Sequence, residues 1–229
     1  MWVVSLLSFV IGVAFTYVMM KQYAERRRPY QLFWSVSLAM FAVATFAEFW
    51  GAAFGWSVPV YKTFYFAGVA LPGFFGVGTV YLMTRDKPLI GHVYAGLTVL
   101  IAVLFLLKVG GAELMVSAAE LADQGIAPNH SEIMPATARR PYSVLLSAVG
   151  GVVLIAGALY SWLRFKLDYN RLIALGGLFF VFGGMLASRL SINEVLPFTN
   201  LLGIVLIFLG VQQAAKARRP QTQSTSAAG

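Results

Sequence analysis

The chain has 229 residues, of which 59% are hydrophobic and only 11% charged, and its mean hydropathy is +0.76. A soluble domain of this size carries about 25% charged residues, so the composition excludes a water-solvated globule and makes lipid the solvent for most of the chain. The formal net charge of +8 does not indicate nucleic acid, because the basic residues sit in short clusters between apolar runs, and the absence of cysteine excludes disulfides and thiolate metal sites.

A helix needs about 20 apolar residues to cross the hydrocarbon layer, and it is one of the few elements that can satisfy its backbone there. Seven such runs are predicted, over residues 2–20, 32–54, 59–84, 89–108, 142–164, 171–188 and 196–215. The first follows Met1 with no basic stretch before it and no small-residue cleavage site after it, so it reads as a helix that is retained. The expected fold is an all-α bundle of seven transmembrane helices over residues 1–215, with an outer segment at 109–141 and a polar, disordered tail at 216–229.

Lysine and arginine set the orientation. With the N-terminus outside and the C-terminus in the cytoplasm, the inner segments hold 12 basic residues (Lys21, Arg26, Arg27, Arg28, Arg85, Lys87, Arg164, Lys166, Arg171, Lys216, Arg218 and Arg219). The outer side then holds five: Lys62, Lys108, Arg139, Arg140 and Arg189. Trp2, Trp56 and Tyr142 fall at the outer interface under this assignment, and Tyr23, Tyr30, Trp34, Tyr160, Trp162 and Tyr169 at the inner one. The expected location is the plasma membrane.

Small residues at four-residue spacing let membrane helices approach closely. Ser143, Ser147, Gly151 and Gly157 in the fifth span, and the pairs Gly176–Gly177 and Gly183–Gly184 in the sixth, read as helix contact faces. Pro72, midway along the third span, removes one backbone hydrogen bond, either to shape the bundle or to form a cavity wall or hinge. In the outer segment, Leu114, Ala118 and Leu121 recur at helical spacing with Gly125 as a C-cap. That pattern predicts a short amphipathic helix, serving as a lid or as a passive surface element.

Glu48 is the polar residue the sequence singles out. It lies about six residues, roughly 9 Å, below the outer end of the second span, where a carboxylate costs on the order of 2–3 kcal/mol to insert and normally has a partner. Lys62, Tyr65, Arg189, Asn193 and Asn200 fall at comparable depth. One expectation is a register-fixing ion pair of Glu48 with Lys62 or Arg189, and the other is a site for a small ligand, ion or proton.

Several chemistries are excluded. His92 and His130 fall on opposite sides of the membrane and cannot together hold a haem; both read as surface or interface residues. The last span has no central lysine for retinal, since Lys216 lies at its end. No catalytic set, metal cluster or cofactor motif is visible, which leans against an enzyme.

Gly55-Trp56, then Tyr61-Lys62-Thr63-Phe64-Tyr65-Phe66-Ala67-Gly68, then Gly76-Val77-Gly78-Thr79-Val80-Tyr81-Leu82 form one characteristic stretch, and Gly157-Ala158-Leu159-Tyr160-Ser161 before a basic loop forms another. Both resemble a group of uncharacterised bacterial seven-helix membrane proteins, to which no activity is attached. More loosely, the layout is similar to the seven-helix sensor regions at the N-termini of some histidine kinases, without the kinase module. The resulting expectation is a sensory or small-ligand-binding module acting through a protein partner at the cytoplasmic face. The alternatives are a small transporter of three, one and three helices, and an accessory subunit of a membrane complex.

Overall fold

The structure, a computed structural model, describes residues 2–125, 128, 130–189 and 195–217, with backbone alone for 185–189 and 215–217. Asn193, the side chain of Arg189 and the tail from 218 lie outside the described residues.

Four long helices come first: α1 (Trp2–Arg26), α2 (Pro29–Phe54), α3 (Val58–Met83) and α4 (Pro88–Gly111). Proline stands in the first turn of α2, α3 and α4, where its fixed φ suits a helix start and its missing N–H costs nothing. Three short helices follow: α5 (Ala118–Ala122), α6 (His130–Ile133) and α7 (Ala136–Arg139). A π-helical turn over Val144–Val149 then runs directly into α8 (Gly150–Phe165), and α9 (Tyr169–Arg189) and α10 (Leu196–Ala217) complete the chain. No strand occurs among the described residues.

Six of these helices are long and apolar enough to cross a membrane, counting the π turn with α8, and Tyr169–Gly184 of α9 is a shorter apolar helix. The chain is thus a multi-pass membrane protein. Its outer surface agrees: Leu89, Val93, Leu97, Leu100 and Leu107 along α4, and Val3, Leu7 and Val10 along α1, are all exposed, a pattern stable only against lipid.

Helices α1, α2, α3, α8, α9 and α10 form a closed ring, α1 packing on both α2 and α10, while α4 leans on α3 from outside. Close approach at glycine makes the ring compact. A Cβ at Gly150 would lie 2.4 Å from the Pro72 carbonyl oxygen and 2.5 Å from the Gly73 nitrogen, so α8 crosses α3 backbone to backbone. The predicted faces at Gly157, Gly176, Gly177 and Gly183 all meet a neighbouring helix, and Gly151 meets Val181. Nothing lies within 4 Å of a Cβ at Gly184, which faces outward. Pro72 stays within a continuous α3, and its backbone lies at the point where Gly150 crosses.

The connection between α4 and the π turn departs from the predicted surface helix. Where one amphipathic helix was predicted, α5 alone forms and has only five residues, starting at a Ser117–Glu120 capping box and ending at Asp123 rather than Gly125. Leu121, Ile133 and Met134 are fully buried against Trp56, Tyr61 and Phe64. This loop is therefore a packed layer with its own share of the core. Trp56 does not sit at the interface; it is buried under the loop, donating from Nε1 to the Gly125 carbonyl at 2.9 Å. Trp34 is likewise buried, with its ring against Phe75 at 6.1 Å.

Candidate functional site

Two buried polar groups lie on the loop side of the bundle, and α2 separates them. One face of α2 carries Ala44, Ala47 and Gly51 toward α3 and Trp56. Another carries Glu48 toward α1. Ring contacts of Trp2 with Phe49 at 6.0 Å and of Phe9 with Phe46 at 5.1 Å fix the antiparallel register and bring Ser5 and Ser8 opposite the Thr45–Glu48 turn.

Glu48 is fully buried, and neither carboxyl oxygen has a hydrogen-bond partner among the described residues. Ser5 Oγ is the polar neighbour close enough to affect the carboxyl, yet no bond of good geometry closes between them. The expected pairing of Glu48 with Lys62 does not form. Lys62 Nζ instead donates to the Gly110 carbonyl at 2.8 Å, so the ammonium caps the last turn of α4. Asn200 is half-buried on α10. The sequence placed Lys62 at the right depth but could not give its direction, which points away from α1.

Tyr65 belongs to the second group. Its ring stacks on Tyr61 with centroids 6.2 Å apart and 6° between planes, and meets Phe105 at 5.7 Å. His130, read from the sequence as a surface residue, packs into this aromatic wall, 4.8 Å from the Tyr65 ring, 5.6 Å from Phe64 and 6.3 Å from Tyr61. It is held there because α6 turns back over α3, with Met115 donating its N–H to the Ile133 carbonyl at 2.9 Å. The Arg139 guanidinium, on α7, acts electrostatically on Tyr61, Tyr65 and His130 together.

Three polar atoms in this group are covered yet have no hydrogen-bond partner among the described residues: Tyr61 Oη, His130 Nδ1 and Arg139 Nε. Buried polar atoms are nearly always satisfied, so three orphans on three side chains from α3, α6 and α7 single this group out as a candidate site. Tyr61 and Arg139 offer donors, and the surrounding rings offer apolar walls. Among the described residues no cluster of three or more His, Asp, Glu or Cys could hold a metal.

Burial, then the nearby Arg139 charge, pushes the His130 imidazole from 6.5 down to about 4. The ring is neutral in the folded loop, and lowering the pH through this window favours the unfolded side. Loop stability is full above about 6.5 and falls progressively toward 4, by roughly 3 kcal/mol at most. Limited proteolysis of the loop at pH 7 and pH 4.5 measures this: cleavage should rise on acidification, and His130→Gln should flatten the dependence.

A large apolar groove of about 810 Å³ lies elsewhere, between the outward faces of α1, α2 and α3, lined by Val13, Tyr17, Val43, Phe46, Trp50 and Val60 among others. It excludes both polar groups and opens sideways toward lipid. The chain matches no protein-family model, no curated protein and no solved structure.

Proposed function

We propose that the chain is a seven-helix module of the plasma membrane, N-terminus outside and C-terminus in the cytoplasm, that binds a small organic anion beneath the 112–142 loop and acts through a protein partner at its cytoplasmic face. The observation that carries this reading is that Tyr61 Oη, His130 Nδ1 and Arg139 Nε, on side chains in ring contact or under the same guanidinium's influence, are all covered and all without partners among the described residues. An arginine whose Nε is covered and unpartnered favours a carboxylate, and the Tyr61, Phe64 and Tyr65 rings favour an apolar body attached to it. The bias of basic residues, 12 against five, supports the orientation that exposes this loop to the outside. The similarity in layout to kinase sensor regions supports a receptor that works through a separate output protein.

Thermal unfolding of the purified protein in detergent, titrated with acetate and with benzoate, tests the reading. Benzoate should raise the unfolding temperature in a saturable way and acetate should do so more weakly. Arg139→Gln should lower the apparent affinity by about 10- to 100-fold, the worth of a hydrogen bond to a charged group. No shift with either anion, or an equal shift in Arg139→Gln, would remove the basis for the reading.

A further inference from the structure

We infer that Glu48, with Ser5 and Ser8 across the α1–α2 interface, forms a binding site for a monovalent metal cation. The case starts from the hydroxyls. Buried serines and threonines in membrane helices normally donate to the carbonyl one turn back, and this bundle follows that habit closely. Ser35 donates to Gln31, Thr45 to Phe41, Thr79 to Phe75, Thr98 to Tyr94 and Thr199 to Val195, while Ser37 reaches across to the Leu71 carbonyl. Ser5 and Ser8 are as deeply buried as any of these, with no measurable exposure, yet neither hydroxyl has an acceptor among the described residues. They lie three residues apart on the inward stripe of α1 that also carries Gly12, Phe15 and Met19. Gly12 lets α1 come within van der Waals contact of Phe41 and Ala42, which presses this stripe against the face of α2 that carries Glu48.

The result is four buried oxygens, two from the carboxyl and two from the hydroxyls, none of which closes a hydrogen bond of good geometry, and no cationic side chain pairs with the carboxyl among the described residues. An all-oxygen set of this kind suits hard cations. Charge balance selects among them. One carboxylate neutralises a single positive charge, whereas a divalent ion would leave one unit uncompensated in a low-dielectric interior. A buried acid inside a membrane bundle normally marks an ion path or site, and here Ser5 Oγ lies close enough to act on the carboxyl, with Ser8 one turn further along the same buried stripe.

The experiment is thermal unfolding of the full chain in detergent, at constant pH and ionic strength, in choline chloride progressively replaced by lithium, sodium or potassium chloride. At least one alkali ion should stabilise the protein saturably over choline. Glu48→Gln should abolish the effect, and the Ser5→Ala/Ser8→Ala double variant, which keeps the charge, should weaken the apparent affinity by about tenfold or more. Identical unfolding in choline and all three alkali salts would overturn the assignment. So would a cation effect of undiminished affinity in the serine double variant, which decides the matter even where Glu48→Gln fails to fold. Arg139→Gln is predicted to leave the cation response intact, so this site and the anion pocket stand or fall separately.

Discussion

Alanine at Gly150 is expected to keep the bundle from closing. The added methyl would fall 2.4–2.5 Å from the Pro72 carbonyl and the Gly73 nitrogen, which are backbone atoms and cannot rotate away. Relief requires α8 to move off α3. That would also separate Gly157 from Thr79 and Gly76 from Gly150, because the whole α3–α8 crossing shares one approach distance. The cost should reach about 3 kcal/mol or more, the upper range for overpacking, a large part of a stability that is only about 5–15 kcal/mol in total. Size-exclusion profiles and thermal unfolding in detergent measure it. Gly96→Ala is the matched control: nothing lies within 4 Å of a Cβ there, so it should be neutral or slightly stabilising. Equal behaviour of the two variants would mean that α3 and α8 do not cross at Gly150.

Trp56→Ala is expected to release the loop while leaving the spans assembled. The indole is 2% exposed, its ring lies 5.3 Å from Phe64 and 6.3 Å from Tyr61, and its Nε1 holds the Gly125 carbonyl. It therefore ties the α2–α3 turn, the top of α3 and the loop together. Removing a buried tryptophan costs about 3–5 kcal/mol, and here most of that falls on the loop layer. Tryptic cleavage between Arg139 and Arg140 should accelerate by about 100-fold or more, while the alkali-cation response assigned to Glu48 is retained. A loop as resistant as that of the parent protein would show that the indole is not its anchor.

Much of this molecule could be read before its coordinates. Runs of apolar residues located every long helix to within a few residues, because a bilayer imposes one length scale and tolerates little polarity within it. The length of α1 was underestimated: it continues to Arg26 where the apolar run stops near residue 20, since lysine, glutamine and tyrosine extend a helix readily once it is nucleated. Glycine pairs marked contact faces correctly at Gly176, Gly177 and Gly183, but gave no warning of Gly184, where no described atom lies within 4 Å of an added Cβ.

The candidate sites were less legible, for a physical reason. Depth follows from counting along a helix, whereas direction depends on which neighbour each face meets. Glu48 and Lys62 share a depth and point to different helices. His130 lay in a segment whose polar look suggested the surface, and only the return of α6 over α3 buries it. A usable signal was present in the adjacent Ile133 and Met134 with Ala138 one turn on, an apolar patch within a polar segment that gives the loop an apolar underside. Ser5 and Ser8 carried none, since serines in a membrane helix ordinarily bond their own backbone.

The ring has a consequence for biosynthesis. Its first helix is completed by its last: α1 rests on α10, with Phe15 and Phe208 in edge contact at 4.9 Å. During translation α1 and α2 can pair at once, but the seam beside α1 stays open until nearly two hundred residues have followed. The nascent protein therefore waits in the bilayer as an unclosed arc, and a chain arrested before α10 would present that seam to the quality-control proteases of the membrane.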